Sequence, residues 1–565
     1  MERKKGIWNS DENPQNQVAQ FPKCSIFEQF RNNAQQYINL PAIEFQNKQF
    51  TFKQSIETIE KLAKALLVTG VKKGDIVSII SPNTPQGVFM FYAVNRIGAI
   101  ANMIHPLLSP NEIQNFVEST ESTAVFTMDV VYNRIAEISW TKNSPKIIIG
   151  KVIDVLPFYL KPLFALKTKG SLILNPSHDC IFWNDLMTKA ESSDIKLPKT
   201  SGSPDDLAVI LYSGGTTGIQ KGVMLTNYNF TCYAIQAYEA SGMDPVGKRC
   251  LTVLPLFHGF GIALCVHTML SYGACIYLVP TYDFNKCNTL IFKKKLNFLC
   301  GVPAFFETLS RYPDFEGKDL SFIECLISGG DVLPEKLQLR INKQLKAGGS
   351  KARIREAYGQ TESVTGCCIN PDFANVIGSV GVPCPDIESK VVELGTINEV
   401  PNGTDGELCL SGPNIMLGYF KNEEATRKVL KLHEDGKIWL HTGDIFTKRE
   451  DGYLFFKQRL SRVIVHSGFN IYLSQIEDCL SDCEIVEQCC AVGIDDKVVG
   501  SRVGLYVILK NKTDKNSAQR IILDHCRQNI AEYAFPSQIV FVDEFPKTKM
   551  GKIDFKNLED RINNR

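Results

Sequence analysis

Residues 211–230 read LYSGGTTGIQKGVMLTNYNF, a glycine- and threonine-rich run with one lysine, set between two apolar segments. The residues leading into it, LAVILY (207–212), are short and apolar enough for a buried strand, and beyond Gly222 the apolar spacing turns helical. The expectation is therefore a loop joining a strand to a helix. Gly214, Gly215 and Gly218 admit backbone conformations closed to other residues and let amide groups turn toward an oxyanion. Ser213, Thr216 and Thr217 add hydroxyl donors, and Lys221 adds charge. These are the parts of a phosphate cradle. They are not a nucleoside-triphosphate P-loop, because Ile219 and Gln220 separate Gly218 from Lys221 and Gly222 follows it. An ordinary surface turn stays open as the alternative on these residues alone.

The chain has 565 residues, too many for one hydrophobic core, so several domains are expected. Its 62 basic and 61 acidic residues leave a net charge of +1, which gives no electrostatic footprint for nucleic acid. The 18 cysteines are scattered through apolar runs, as reduced core thiols are, and lack the spacing of a zinc motif with the histidines. The first residues, MERKKGIWNSDENPQNQ, have no apolar stretch behind the basic ones, so no secretory signal is read and the cytoplasm is the expected compartment.

Residues 251–282 hold no Asp, Glu, Lys or Arg and are long enough to cross a membrane. Pro255, His258, Gly259, Gly261 and Gly273 interrupt them, which predicts a buried strand, helix and strand instead. The same alternation recurs from residue 75 to 358. Short apolar runs such as DIVSII, AVFTMD, ACIYLV, FLCGVP, ECLISGG and IREAYG are separated by helix-length amphipathic segments, and this predicts α/β architecture with largely parallel sheets. Several of these runs end in small or polar residues, where the ligand crevice of an open α/β sheet lies. From about residue 378 the texture becomes strands and Gly/Pro/Asn turns, and the last hundred or so residues mix helices and strands.

Seven further segments follow in order: PLFHGFG (255–261), SGGD (328–331), YGQTE (358–362), GELCLSGPNIMLGYFKNEEAT (406–426), WLHTGD (439–444), RLSRVIVHSGFNIYLSQIED (459–478) and PKTKMGK (546–552). With the opening loop they resemble the adenylate-forming acyl-CoA synthetases, relatives of aryl-CoA ligases, firefly luciferase and peptide-synthetase adenylation domains. The resemblance implies a multidomain α/β fold. Residues 1–457 would form a large AMP-binding part of two α/β subdomains and a β-barrel, 458–461 a hinge, and 462–565 a small mobile α+β domain.

The implied reaction attaches a carboxylate to the α-phosphate of ATP and then transfers the acyl group to coenzyme A. Two anions must meet, so the site needs a magnesium ion and fixed cations. By resemblance, Ser213, Gly214, Gly215, Thr216, Thr217, Gly218 and Lys221 hold the phosphates and Thr361 the α-phosphate. Glu362, with Thr217, holds magnesium. Tyr358 stacks on adenine, Gly329, Gly330 and Asp331 line the base pocket, and Gly359 and Gln360 continue that wall. Asp444 accepts from the ribose hydroxyls, Arg459 reaches the sugar or phosphate, and His258 stands between acyl pocket and pantetheine tunnel. Gly468 leaves room for pantetheine. Lys552, charged with an unperturbed pKa of about 10.4, stabilises charge developing in the first step.

The chain departs from the family at Gln220, where proline is usual, and at Ser461, Val465 and Leu473, all near the hinge. These departures leave the first half-reaction better supported than the second. A carrier protein as acyl acceptor, an aryl-CoA ligase and an inactive nucleotide-binding scaffold are the competing readings. The presence of Thr361, Glu362 and Lys552 argues against the scaffold, and no carrier domain is read after residue 565. The acyl pocket would be lined by Phe260, Gly261, Ile262, Val302, Pro303, Ala304, Val364, Thr365 and Gly366, which suits a monocarboxylic, fatty acid. Residues 150–170, GKVIDVLPFYLKPLFALKTKG, match none of the motifs. Apolar side chains flanked by lysines have the composition of a segment lying weakly on an anionic membrane, whereas Pro157 and Pro162 favour short elements packed on the core, which is the expectation taken here.

Overall fold

The computed structural model describes residues 21–141, 144–167, 180–213, 220–280, 283–466, 469–496, 499–511, 514–530, 534–547 and 553–564. Of the expected site residues, Gly214, Gly215, Thr216, Thr217, Gly218, Gly468 and Lys552 lie outside the described residues.

Two large sheets dominate the first 380 residues, and each has a parallel centre with antiparallel edges. In the first, parallel strands run in the order Ile354–Tyr358, Cys325–Gly329, Phe298–Gly301, Arg249–Thr252, Cys275–Leu278, Pro41–Phe45. Lys48–Thr51 closes one edge, and Cys368–Ile369 with Val382–Pro383 closes the other. The second orders Leu207–Ser213, Ile100–Met103, Ile76–Ile80, Ala124–Met128, Lys146–Gly150 and Cys180–Phe182 in parallel, with Lys221–Thr226 and Gly418–Tyr419 antiparallel at one edge. The parallel strands are buried on both faces, which is why they read as continuous apolar runs rather than alternating ones.

The 251–282 segment folds as expected. Arg249–Thr252 and Cys275–Leu278 pair in parallel, and the connecting stretch Phe260–Thr268 is a fully buried π-helix continued by Met269–Ser271. Its one polar ring is satisfied, since His267 bonds Gln29 Oε1 (2.8 Å) and the Tyr92 hydroxyl (3.1 Å). No helix among the described residues is long and apolar enough to cross a membrane.

The loop that opened the sequence joins different elements from those expected. Leu207–Ser213 is followed by a second strand, Lys221–Thr226, which returns antiparallel to the first and places Lys221 opposite Ser213. The helix begins only at Asn227, capped by the Thr226 hydroxyl on Asn229 N–H (3.0 Å). The apolar residues Val223 and Leu225 fit strand alternation as well as a helical turn. Sheet pairing decides between them in favour of the strand.

The region after residue 380 holds two smaller sheets. Glu388–Val392, Asp405–Ser411, Ile438–Lys448 and Leu430–Leu432 pair antiparallel in that order, and Leu454–Arg459 adds to Ile438–Lys448. Where the resemblance implied a barrel, the described strands form this open path. The last sheet orders Phe469–Tyr472, Val463–His466, Gly500–Leu509, Val486–Asp496, with Pro536–Phe541 parallel on Gly500–Leu509. It has its own apolar cluster around Leu473, Leu480, Leu505, Val507 and Ile522. Side chains of both large sheets and of the antiparallel sheet share another.

Residues 150–167 divide between the two readings of their sequence. Val155 and Leu156 are buried, and Leu160 and Phe164 pack partly on the core. Phe158, Tyr159, Leu163 and Leu166, by contrast, are 84, 55, 64 and 70% exposed. Core packing therefore accounts for half of the apolar residues. The prolines do end the regular structure: a 3₁₀ turn, Val152–Val155, stops before Pro157, and Pro162 sits in the first turn of the helix Lys161–Lys167.

Candidate active site

The site forms where carboxyl ends of the nine-stranded sheet meet the antiparallel sheet. Strand Ile354–Tyr358 runs into Gly359, Gln360 and a 3₁₀ turn, Thr361–Ser363, followed by Val364 at φ 69° and ψ −57°. That backbone is a γ-turn closed by Thr365 N–H on Ser363 O (2.8 Å), a conformation rarely adopted by a β-branched residue. Its surroundings hold it there. A Cβ on Gly359 would lie 1.6 Å from Thr365 O, and one on Gly259 would lie 2.0 Å from Val364 O. The two glycines, one from YGQTE and one from PLFHGFG, press this peptide segment from two directions. Asn414 Nδ2 ties it from a third side through Ser363 O (3.1 Å) and Gly366 O (3.3 Å).

The clamp sets the side chains expected to work. Glu362 is 7% exposed, and its Oε1 accepts a hydrogen bond from the Tyr419 hydroxyl (2.8 Å). The ammonium of Lys221 lies 4.9 Å from the Tyr419 ring centroid, so Tyr419 links the lysine of the glycine loop to the acid of YGQTE. Among the described residues the buried Gln360 Nε2 has no hydrogen-bond partner, a donor left for a ligand acceptor. Thr361 is half-buried beside it.

Tyr358 and Asp444 meet directly. The phenol donates to Asp444 Oδ2 (2.7 Å), the ring packs edge-on against Phe446 (4.8 Å), and burial together with the Asp444 charge pushes the hydroxyl well above its usual pKa. Asp444 is 5% exposed and lies opposite Arg459 on the neighbouring strand, with Arg459 Nε 3.7 Å from Oδ1. One oxygen of the expected ribose acceptor is thus already engaged by the expected adenine platform. Gly443, at φ 69°, makes the bend that turns Asp444 inward, and Glu407 Oε1 accepts its N–H (3.0 Å).

Gly329 ends its strand against Phe260 and Ala357, and Gly330 follows at φ 83° beside Val302. Asp331 is exposed and caps Val332 N–H through its own Oδ1 (3.0 Å), so it borders the pocket as a turn residue. His258 Nδ1 accepts Phe260 N–H (3.2 Å), which leaves Nε2 as the protonated nitrogen of a neutral ring, and the preceding Phe257 stacks on His105 (4.1 Å). Of the residues expected to line an acyl pocket, Phe260 lies against Gly329, Val302 against Gly330, Val364 and Thr365 against Gly259, and Gly366 against the buried Tyr233. On either side of the segment that contains Lys552, Lys547 and Ile553 form a bridge and Asp554 N–H donates to Pro546 O (2.8 Å).

Three residues of this site, Tyr419, Glu407 and Glu356, were not singled out from sequence, nor was the strained backbone of Val364. Tyr419 and Glu407 sit inside a quoted motif, but nothing local gives their partners. Glu356 is 4% exposed beneath the SGGD turn and accepts Leu333 N–H (3.1 Å). Burial, with the Asp331 charge adding to it, raises its pKa from the usual 4.5 to about 7.

With this geometry in view, comparison with known proteins identifies the fold and the lineage. The AMP-binding enzyme family matches residues 30–420, and the AMP-binding enzyme C-terminal domain matches 475–552. The chain belongs to the AMP-binding enzyme family. It is 29% identical over 531 residues to a long-chain-fatty-acid–CoA ligase of Bacillus subtilis, covering 92% of each chain, and 28% identical to the enzyme of that name from Escherichia coli O6:H1, covering 95% of this chain and 94% of the other. ATP-bound MatB from Rhodopseudomonas palustris shares the fold with a TM-score of 0.82 at 22% identity, covering 96% of this chain and 99% of that one.

Two predictions follow from the geometry. Gly359→Ala should abolish acid-dependent pyrophosphate release, whereas Gly436→Ala, which strains a turn at φ 75° but whose Cβ meets nothing within 4 Å, should leave it near parental; equal activities would show that the peptide clamp can relax. For Glu356, the folded state holds a proton between pH 4.5 and about 7 that the unfolded chain has lost, so its contribution to stability falls as pH rises through that window. Glu356→Gln, which keeps the acceptor, should therefore be stabilising by about 1–3 kcal/mol above pH 7 and nearly neutral at pH 4.5, measured by denaturant unfolding.

Proposed function

We propose that the protein activates a monocarboxylic fatty acid with ATP and transfers the acyl group to coenzyme A, as an AMP-forming acid–thiol ligase. The observation that carries this reading is the convergence, around one peptide clamp, of a ribose-type carboxylate (Asp444), an aromatic wall (Tyr358), an unpartnered buried amide (Gln360) and a buried acid (Glu362) linked to Lys221. In the first step a carboxylate oxygen attacks the α-phosphorus, the bond to the β-phosphate breaks, and pyrophosphate leaves. In the second the coenzyme A sulfur, losing its proton, attacks the acyl carbon, the bond to phosphate breaks, and AMP leaves.

Asp444 orients the nucleoside, and its bond to Tyr358 restrains both before the substrate arrives. Arg459 and Lys221 offset negative charge at the two ends of the phosphate chain. Glu362 suits magnesium: among the described residues only Tyr419 bonds its carboxylate, through Oε1, which leaves a hard oxygen donor facing the same cleft. Magnesium bound there would neutralise phosphate charge. Lys552, on the resemblance, supplies the cation of the first step, with residues 458–461 as the hinge that brings it in and Gly468 beside the pantetheine. The apolar contacts of Phe260, Val302, Val364 and Gly366 favour a hydrocarbon chain over a dicarboxylate or an amino acid. A carrier protein as acceptor is the outcome to be separated by experiment.

Purified enzyme should release AMP from ATP when given a long-chain fatty acid and coenzyme A, and Lys552→Ala should lose adenylation by about a hundredfold or more yet keep thioester formation from supplied acyl-AMP. Loss of both steps together would make the lysine structural, and AMP release indifferent to coenzyme A would point to another acceptor.

The exposed Phe158, Tyr159, Leu163 and Leu166, with Lys151 and Lys161 near them in the chain, supply the apolar and basic parts of a weak contact with an anionic lipid surface, from which a fatty acid could be taken. The protein should sediment with phosphatidylserine vesicles at low salt and detach as salt rises. Phe158→Glu with Leu163→Glu should abolish sedimentation and leave activity on a short soluble acid unchanged; vesicles that fail to bind the parent protein would end this reading.

A further inference from the structure

Away from the nucleotide cleft, the antiparallel sheet buries a group of side chains that adenylation does not use. Cys409 and His441 are register partners on the strands Asp405–Ser411 and Ile438–Lys448, and His433 stands just past the strand Leu430–Leu432, at the turn leading into Ile438–Lys448. The three are 0, 4 and 4% exposed, and one donor atom from each lies within 4.8 Å of the other two. The two rings face each other with their Nε2 atoms 2.9 Å apart. On the far side of His441, Nδ1 donates to Glu407 Oε2 (2.8 Å), which fixes the tautomer and turns the lone pair of Nε2 toward His433. Among the described residues the buried His433 Nδ1 has no hydrogen-bond partner.

We propose that Cys409, His433 and His441 bind a zinc ion that pins three strands of this sheet together, with the Glu407 carboxylate orienting His441 behind it. The donor set is one soft thiolate and two imidazoles, which suits zinc, and three protein ligands leave the fourth tetrahedral position to a solvent molecule. A carboxylate on the outer nitrogen of a ligating histidine is the usual support for such a site. Charge also balances: the Cys409 thiolate and the Glu407 carboxylate together neutralise a divalent cation in a buried place, where an unbalanced charge would be costly. Lys390 is the opposing feature, but its ammonium is held over the Trp439 ring (4.1 Å) and 3.6 Å from Asp435. Without metal, the 2.9 Å contact is a hydrogen bond donated by His433 Nε2 to His441 Nε2. Sequence spacing hides the site because its ligands come from two strands and from the turn that follows a third.

The position gives the metal a use. Gly443 N–H is held by the other oxygen of Glu407, and Asp444 follows it, so a zinc on His441 would stiffen the strand segment that presents the nucleoside acceptor.

The test is metal binding by the full-length protein. After growth in zinc-supplemented medium and gel filtration, elemental analysis should find about one zinc per chain, and protein stripped with a chelator should take up about one cobalt(II), with a thiolate-to-cobalt charge-transfer band that zinc displaces. Cys409→Ser should lose that band, and His433→Asn should lower cobalt affinity at least tenfold, both with circular dichroism like the parent's. The chain's other cysteines make the first variant decisive: a band that persists in Cys409→Ser assigns the metal elsewhere and overturns the proposal. Parent protein that holds under a tenth of an equivalent of zinc and gives no cobalt band also overturns it, whatever the variants do, and leaves a hydrogen-bonded Glu407–His441–His433 chain.

Discussion

The close approach of one peptide segment, residues 364–366, to two glycines sets the geometry of the rest of the site. Gly259 and Gly359 come from turns after different strands of the nine-stranded sheet, and neither position has room for a single carbon. Between them Val364 is held in a conformation its side chain disfavours, at a cost on the order of 1–3 kcal/mol that the surrounding packing offsets. Strain of this kind persists only where structure over-determines it. Here it fixes the direction of the turn before it, and so the placement of Thr361 and of the buried Glu362 carboxylate.

Asp444 is the second point of convergence. Its carboxylate is shared by Tyr358 from the nine-stranded sheet and Arg459 from the adjacent strand, at the end of which the chain passes toward the last sheet. One interaction therefore joins the aromatic wall, the nucleoside acceptor and the approach to the C-terminal unit. Gln458, next to Arg459, adds a contact in the same place, since its Oε1 accepts both the Ser474 hydroxyl (3.0 Å) and Ser474 N–H (3.2 Å) at the start of the first helix of that unit. A carboxylate already carrying a phenol donor gives up less orientational freedom on binding a sugar, which is a preorganisation argument for the pairing.

Much of this was legible in the sequence because it depends on local chemistry. Continuous apolar runs ended by small residues can only be buried parallel strands whose carboxyl ends open on a crevice, and the 251–282 stretch, with its prolines and glycines, could not be one uninterrupted span. Motif order identified the lineage and the residue types at the cleft.

What tertiary structure decided is partnership, because side-chain period and residue type do not say what lies across a gap. Val223 and Leu225 satisfy a strand and a helical turn equally, and only pairing with residues 207–213 made the segment after the glycine loop a strand. The apolar residues of 150–167 looked alike, yet Val155 and Leu156 found the core while Phe158 and Leu163 did not. Glycine at 259 and 359 was visible as a letter, but the backbone oxygens that exclude any other residue come from positions more than a hundred residues away or across a turn. Cys409, His433 and His441 meet for the same reason: register between strands, a long-range property, brings together donors whose spacing along the chain carries no signal.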